Sequence, residues 1–151
     1  MHVYVGGSPT MERLTDKMLS LIDKMIGHEE TFMLGDDPGA PQLVAGYLAS
    51  VGYDKVEIYH VDEVDRVDGW TYNKIEGERE DRPHDTAILM KCEKVVMLCD
   101  EGCDEANAVI SMHAIALGLP LLVYNEEAGE FKMYAPAYEV EIEDGEEDQA
   151  G

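Results

Sequence analysis

Thr-Phe-Met-Leu-Gly-Asp-Asp-Pro-Gly-Ala, residues 31–40, sets a short apolar run in front of a turn rich in glycine and aspartate. An apolar run of this length, bounded by turn residues, suits a buried strand. Behind it Leu43, Val44, Tyr47, Leu48 and Val51 recur at helical spacing, so the stretch reads strand, turn, helix. The same order opens the chain: His2-Val3-Tyr4-Val5, then Gly6-Gly7-Ser8, then Met11, Leu14, Met18, Leu21, Ile22 and Met25 at helical spacing. Further strands are expected at 55–59, 94–98 and 120–124, beside those at 3–5 and 31–34. A third helix is expected from Pro83 to about Cys92, because proline suits a first turn whose amides have no partner. A fourth carries Ala106, Val109, Ile110, His113 and Leu117 on one face, with Asp104 as N-cap and Gly118 as its stop. Alternation of this kind predicts an α/β chain: a Rossmann-like three-layer sandwich around a mainly parallel five-stranded sheet.

At 151 residues the chain suits a single domain, expected over 1–135, followed by an acidic extension at 136–151 too polar to fold alone. The connection at 61–82 is long and polar and holds the only tryptophan, Trp70, which predicts a lid or a disordered loop. Segments 131–134 and 138–142 are candidates for extra edge strands. The formal charge of −22 repels polyphosphate backbones, so no nucleic-acid partner is expected. No apolar run reaches the roughly 20 residues of a membrane span, and the amino terminus lacks a signal-peptide pattern. A cytoplasmic protein with no membrane partner is the expectation. Cys92, Cys99 and Cys103 form an odd set, read as three free thiols in a reducing compartment.

In an open parallel sheet, ligands bind beyond the carboxyl ends of the strands, where strand order reverses. Three loops therefore matter. Gly6-Gly7-Ser8 either makes a tight turn or brings bare backbone amides close to an anion. Gly35-Asp36-Asp37-Pro38-Gly39-Ala40 is either a helix-capping loop or a place where carboxylates accept hydrogen bonds from ribose hydroxyls. The third, Asp100-Glu101-Gly102-Cys103-Asp104-Glu105-Ala106-Asn107, sets four carboxylates around a helix amino terminus; these complement the helix dipole but repel a phosphate. An uncharged nucleoside moiety or a cation suits it better. Cys99, Cys103 and His113 fall short of the usual four zinc ligands, so no metal and no resident cofactor is expected. His113 reads as a core or interface imidazole, and His84, beside Asp85 at a helix start, makes a poor catalytic base. Trp70 and Tyr72 are candidates to stack on a base.

These motifs together, with Tyr47-Leu48, Gly52-Tyr53 and Asp85 ahead of Leu89-Met90, resemble the YspA-like branch of the SLOG superfamily over about residues 2–125. The resemblance implies a Rossmann-type domain that binds nucleotides or nucleotide-derived small molecules, related to phosphoribohydrolases of the "lonely guy" type and to DprA proteins. It assigns ligand contacts to Gly6, Gly7 and Ser8 and to Gly35, Asp36, Gly39 and Ala40. It departs from the family where Ala106-Asn107 replaces the usual Gly-Thr and where Ile110 stands in place of a catalytic glutamate. Isoleucine has no acid, base or nucleophile to offer.

The expected function is therefore binding or sensing of a nucleotide-derived small molecule, with Gly6, Gly7, Ser8, Gly35, Asp36, Gly39, Ala40, Trp70, Asp100, Gly102 and Asn107 as contacts. The enzyme alternative is N-glycosidic hydrolysis or transfer, with Asp36 or Glu105 as the carboxylate that attacks or stabilises the sugar cation. A third alternative is a non-catalytic interaction protein with a decayed cleft, whose helix faces support a homo-oligomer.

Overall fold

The structure, a computed structural model, describes residues 1–100, 105–126 and 129–134. Among these residues seven strands form one sheet: β1 (His2–Gly7), β2 (Thr31–Gly35), β3 (Val56–His60), β4 (Thr71–Lys74), β5 (Lys94–Cys99), β6 (Leu121–Asn125) and β7 (Glu130–Tyr134). Their spatial order is β4-β3-β2-β1-β5-β6-β7, parallel throughout except for the antiparallel β6–β7 pair. Four helices, α1 (Asp16–Gly27), α2 (Ala40–Ser50), α3 (Pro83–Leu89) and α4 (Glu105–Ala116), complete the α/β architecture among the described residues. The Rossmann-like sandwich expected from the sequence fits this arrangement, with seven strands rather than five. None of these helices is long and apolar enough to cross a membrane.

Period-two alternation along the central strands divides the core into two layers. Val3, Val5, Phe32, Leu34, Val56 and Ile58 pack with Met18 and Ile22 of α1 and Val44 and Leu48 of α2. Tyr4, Met33, Tyr59, Val95 and Met97 face the other way, onto Ile88 of α3 and Ile110 and Ala114 of α4. Strand order reverses between β1 and β5, so the crevice that such sheets offer a ligand opens there.

Several element limits differ from the sequence expectation. α1 begins at Asp16 because the Thr15 side chain accepts a hydrogen bond from the Met18 amide and caps the helix; Met11 and Leu14 precede it. α3 stops at Leu89, short of Cys92. The buried stripe of α4 is Asn107, Ile110 and Ala114, whereas Val109, His113 and Leu117 are exposed, so His113 is no core imidazole. Cys92 is a free, buried thiol whose pKa burial lifts to about 11, but Cys99 is disulfide-bonded, so the reading of three free thiols does not hold. Asp104, Cys103, the 138–142 segment and the acidic extension lie outside the described residues.

The largest departure is β4. It lies within the supposed lid, pairing in parallel with β3 through Ile58–Tyr72 and Tyr59–Asn73. Thr71-Tyr72-Asn73-Lys74 is too polar to read as a strand, because at the sheet edge it packs only part of its surface. Tyr72 anchors it: its hydroxyl accepts a hydrogen bond from the Val67 amide at 2.6 Å and its ring stands edge-on to His60.

The two glycine turns dock on each other at the carboxyl edge. The Ser8 amide donates to Leu98 O at 2.9 Å, and the Ala40 amide donates to Ser8 O at 3.0 Å. A Cβ on Gly7 would lie 1.9 Å from Leu98 O, and one on Gly39, where φ is +83°, would lie 2.2 Å from Ser8 O. Both are backbone atoms that cannot swing aside, so these glycines serve close approach between chain segments. Gly27, by contrast, has nothing within 4 Å of an added Cβ. Gly7→Ala is therefore expected to cost roughly 3 kcal/mol, the upper end for ordinary point variants. Gly27→Ala should be neutral or stabilise by up to about 1 kcal/mol through helix propensity. Urea unfolding of the two variants checks the contrast.

Candidate functional site

Beyond the docked turns, chain reversal places Asp36 and Asp37 at the end of β2 against the segment that leads into α3. Arg79, in a 3₁₀ turn (Arg79–Asp81), spreads its guanidinium over three carboxylates: Asp36 at 2.5 Å, Asp37 at 2.9 Å and Asp62 at 2.6 Å. Arg82 bonds Asp37 at 2.7 Å and also pairs closely with Asp85. Asp85 accepts a 2.5 Å hydrogen bond from the Tyr4 hydroxyl, which ties the network to β1. Asp36 Oδ2 also accepts from the amides of Val61 (3.0 Å) and Asp62 (3.2 Å), holding the start of the β3–β4 connection.

His84 lies at the bottom of this network, with its side chain fully buried and Nε2 3.2 Å from Asp37 Oδ2. Gly35 makes room for it, since a Cβ there would meet the His84 ring at 2.8 Å. Burial by itself would raise the Asp37 pKa, but the His84 bond and the Arg82 and Arg79 charges outweigh it and hold the carboxyl below its ordinary 3.8. Tyr4 is pushed well above its ordinary value, first by burial and then by the charge and hydrogen bond of Asp85. Arg82 takes a left-handed backbone (φ 48°, ψ 54°), which costs a non-glycine residue roughly 1–2 kcal/mol. Such strain tends to gather at functional positions.

Two cavities flank Asp37. The larger, about 520 Å³, lies between α2 and the 61–72 segment; Asp36, Asp37, Ala45, Gly46, Trp70 and Tyr72 are among its walls. Its volume falls in the usual range for small-molecule sites. The Trp70 indole N–H donates to Tyr53 O at 2.8 Å, which fixes the ring at the cavity wall. The smaller cavity, about 20 Å³, sits at the strand-order reversal among Tyr4, Gly6, Gly7, Arg82 and Asn107. That is room for about one water.

The candidate residues are thus gathered at one edge but divided between two spaces. Gly35, Asp36 and Trp70 line the large cavity, while Gly6, Gly7 and Asn107 line the small one. Asn107 donates to Gly7 O at 2.5 Å, and the Asp100 amide donates to Ser8 Oγ at 3.2 Å. Ser8, Gly39, Ala40 and Asp100 border the same edge without lining either cavity. Gly102 and the Glu105 side chain lie outside the described residues. Sequence reading missed Arg79 and Arg82 and undervalued Asp37 and His84. The signal was scarcity: in a chain with 33 acidic residues, two of only four arginines fall at 79 and 82.

Asp36, Asp37 and His84 have metal-ligand spacing, with one donor atom from each lying within 4.8 Å of the others. The surroundings do not fit a metal. Two guanidiniums already hold these carboxylates, and ligation through Nε2 would leave the proton on Nδ1, which is buried without a hydrogen-bond partner. The cluster instead works as an ion-paired scaffold.

No protein-family model matches the chain, nor does any curated protein or solved structure.

Removing one partner from a buried ion pair is strongly destabilising. Because the Arg82 side chain is 31% exposed, solvent screening reduces the expected loss for Arg82→Ala to roughly 2 kcal/mol. The acid limb should also move. The depressed pKa of Asp37 contributes stability that is fully present above its unfolded value and is lost as pH falls through the lower folded value. Arg82→Ala should therefore begin acid unfolding at a higher pH than the parent chain, as followed by circular dichroism between about pH 6 and pH 2.

Proposed function

We propose that this chain is a binding or sensing module for a nucleotide-derived small molecule, which it takes by the nucleoside part in the cavity between α2 and the 61–72 segment. One observation carries the reading: a space of about 520 Å³ at the carboxyl edge joins aromatic walls, Trp70 and Tyr72, to the small residues Ala45 and Gly46 and to a carboxylate end. Aromatic and apolar walls suit a flat base, and the exposed carboxylate of Asp65 can accept hydrogen bonds from sugar hydroxyls. Absence of side-chain bulk on the facing helix leaves the space open.

The same geometry favours binding over N-glycosidic hydrolysis or transfer. Asp36 Oδ2 already accepts from two backbone amides and from Arg79, and the Asp36 side chain is 1% exposed, so this carboxylate is not poised to attack a sugar carbon.

Trp70 is the only tryptophan, so its fluorescence reports directly on the cavity. A nucleoside held at a hundredfold excess over its Kd should raise the melting temperature by about 5–10 °C for a chain of this size. It should also change the Trp70 emission. Ala45→Phe, which fills the space from α2, is expected to abolish both signals while leaving the far-ultraviolet spectrum unchanged. Nucleoside binding that survives Ala45→Phe overturns this location, and no response to any of the common nucleosides overturns the reading.

A further inference from the structure

The cavity has ionisable walls of one sign only. Asp36, Asp37 and Asp65 line it, and no lysine or arginine does. Of the guanidiniums around it, Arg79 is paired with Asp36, Asp37 and Asp62 and Arg82 with Asp37 and Asp85, while Arg66 lies over the ring of the wall residue Tyr72 at 4.8 Å. Lys74 is paired with Glu63. Within this neighbourhood five carboxylates, Asp36, Asp37, Asp62, Asp65 and Asp85, face three guanidiniums, so the ion pairs do not neutralise it. The chain as a whole, at −22, adds a field of the same sign.

Phosphate recognition also needs free donors, and four of the backbone amides at this edge are in use. The Ser8 and Ala40 amides donate to carbonyls of the chain, and the Val61 and Asp62 amides donate to Asp36. A phosphate placed here would lose its water shell beside three carboxylates, with the exposed Gln42 carboxamide as a neutral donor and no lysine or arginine in the wall itself. A cation meets the opposite situation. Asp65 is an exposed carboxylate at the cavity wall with no hydrogen bond or ion pair among the described residues, and Trp70 supplies aromatic surface that attracts positive charge.

We infer that the cavity selects a cationic ligand: in the nucleoside reading, on which this inference rests, a nucleoside whose substituent is an amine or another positive group and not a phosphate. Asp65 is the contact for that charge. The expected gain over a neutral analogue is roughly tenfold, from one screened ion pair together with a cation–π contact.

The test compares charge isosteres on the full chain by isothermal titration calorimetry. One series is 5′-amino-5′-deoxyadenosine, adenosine and adenosine 5′-monophosphate; the other is tryptamine, tryptophol and indole-3-acetate, which keeps the charge order without sugar or purine. Amine above alcohol above anion is expected in whichever series binds, with the amine advantage shrinking between about 20 mM and about 0.5 M NaCl. In Asp65→Asn the amine-to-alcohol affinity ratio should fall severalfold. An anion that binds as tightly as its alcohol, or a ratio untouched by Asp65→Asn, overturns the charge assignment even if adenosine binds. Indole amine binding without any adenosine binding sinks the nucleoside reading and leaves the charge assignment standing. Binding of neither series sinks both.

Discussion

The guanidinium bridges at the carboxyl edge are the constraint on which this structure depends. Arg79 and Arg82 connect the turn after β2, the connection after β3 and the start of α3, and through Asp85 the network reaches Tyr4 on β1. Burying carboxylates is costly unless each finds a counter-charge and hydrogen bonds. Here Asp36 and Asp37 are largely buried and ion-paired, and two backbone amides bond Asp36 Oδ2, while Asp36 Oδ1 is buried without a hydrogen bond. The bridges therefore decide where the 61–82 segment runs, and so set the shape of the cavity under it.

That arrangement leaves the larger of the two described cavities away from the place general to this architecture. The crevice at the strand-order reversal is narrowed to about 20 Å³, with Tyr4, Arg82 and Asn107 among its walls. Space opens instead one layer outward, where α2 presents Ala45, Gly46 and Ala49 and the strand β4 brings Tyr72 up beside Trp70. Asp37 borders both spaces, so a change in its ion pairs has a direct route from one to the other. The chain's formal charge of −22 adds negative potential at this cavity, where three aspartates already line the wall.

The two glycine turns illustrate how one signal supports two different physical roles. Gly7 looked like a position where bare amides would meet an anion, and Gly39 like part of a loop that meets a ribose. Their missing side chains allow the contact between Gly7 and Leu98 O, and between Gly39 and Ser8 O. Glycine in a turn announces that something comes close, and sequence cannot say whether the visitor is a ligand or another part of the backbone. Either way the turns meet at this edge.

By itself the sequence determined the layers. Alternation in Val3-Tyr4-Val5 and Phe32-Met33-Leu34, with helical spacing between them, depends only on local geometry and on which faces must leave water. It likewise pointed to the Gly35–Ala40 turn and to Trp70. Only the tertiary structure decided that Thr71-Tyr72-Asn73-Lys74 is a strand, since a polar edge segment takes its conformation from the neighbour it pairs with. It also decided that Arg79, Arg82 and His84 enclose Asp36 and Asp37, contacts spanning more than forty residues of chain. Ion pairs at such separation leave no periodic trace in the sequence, because they depend on where the backbone returns and not on the spacing of like residues along it.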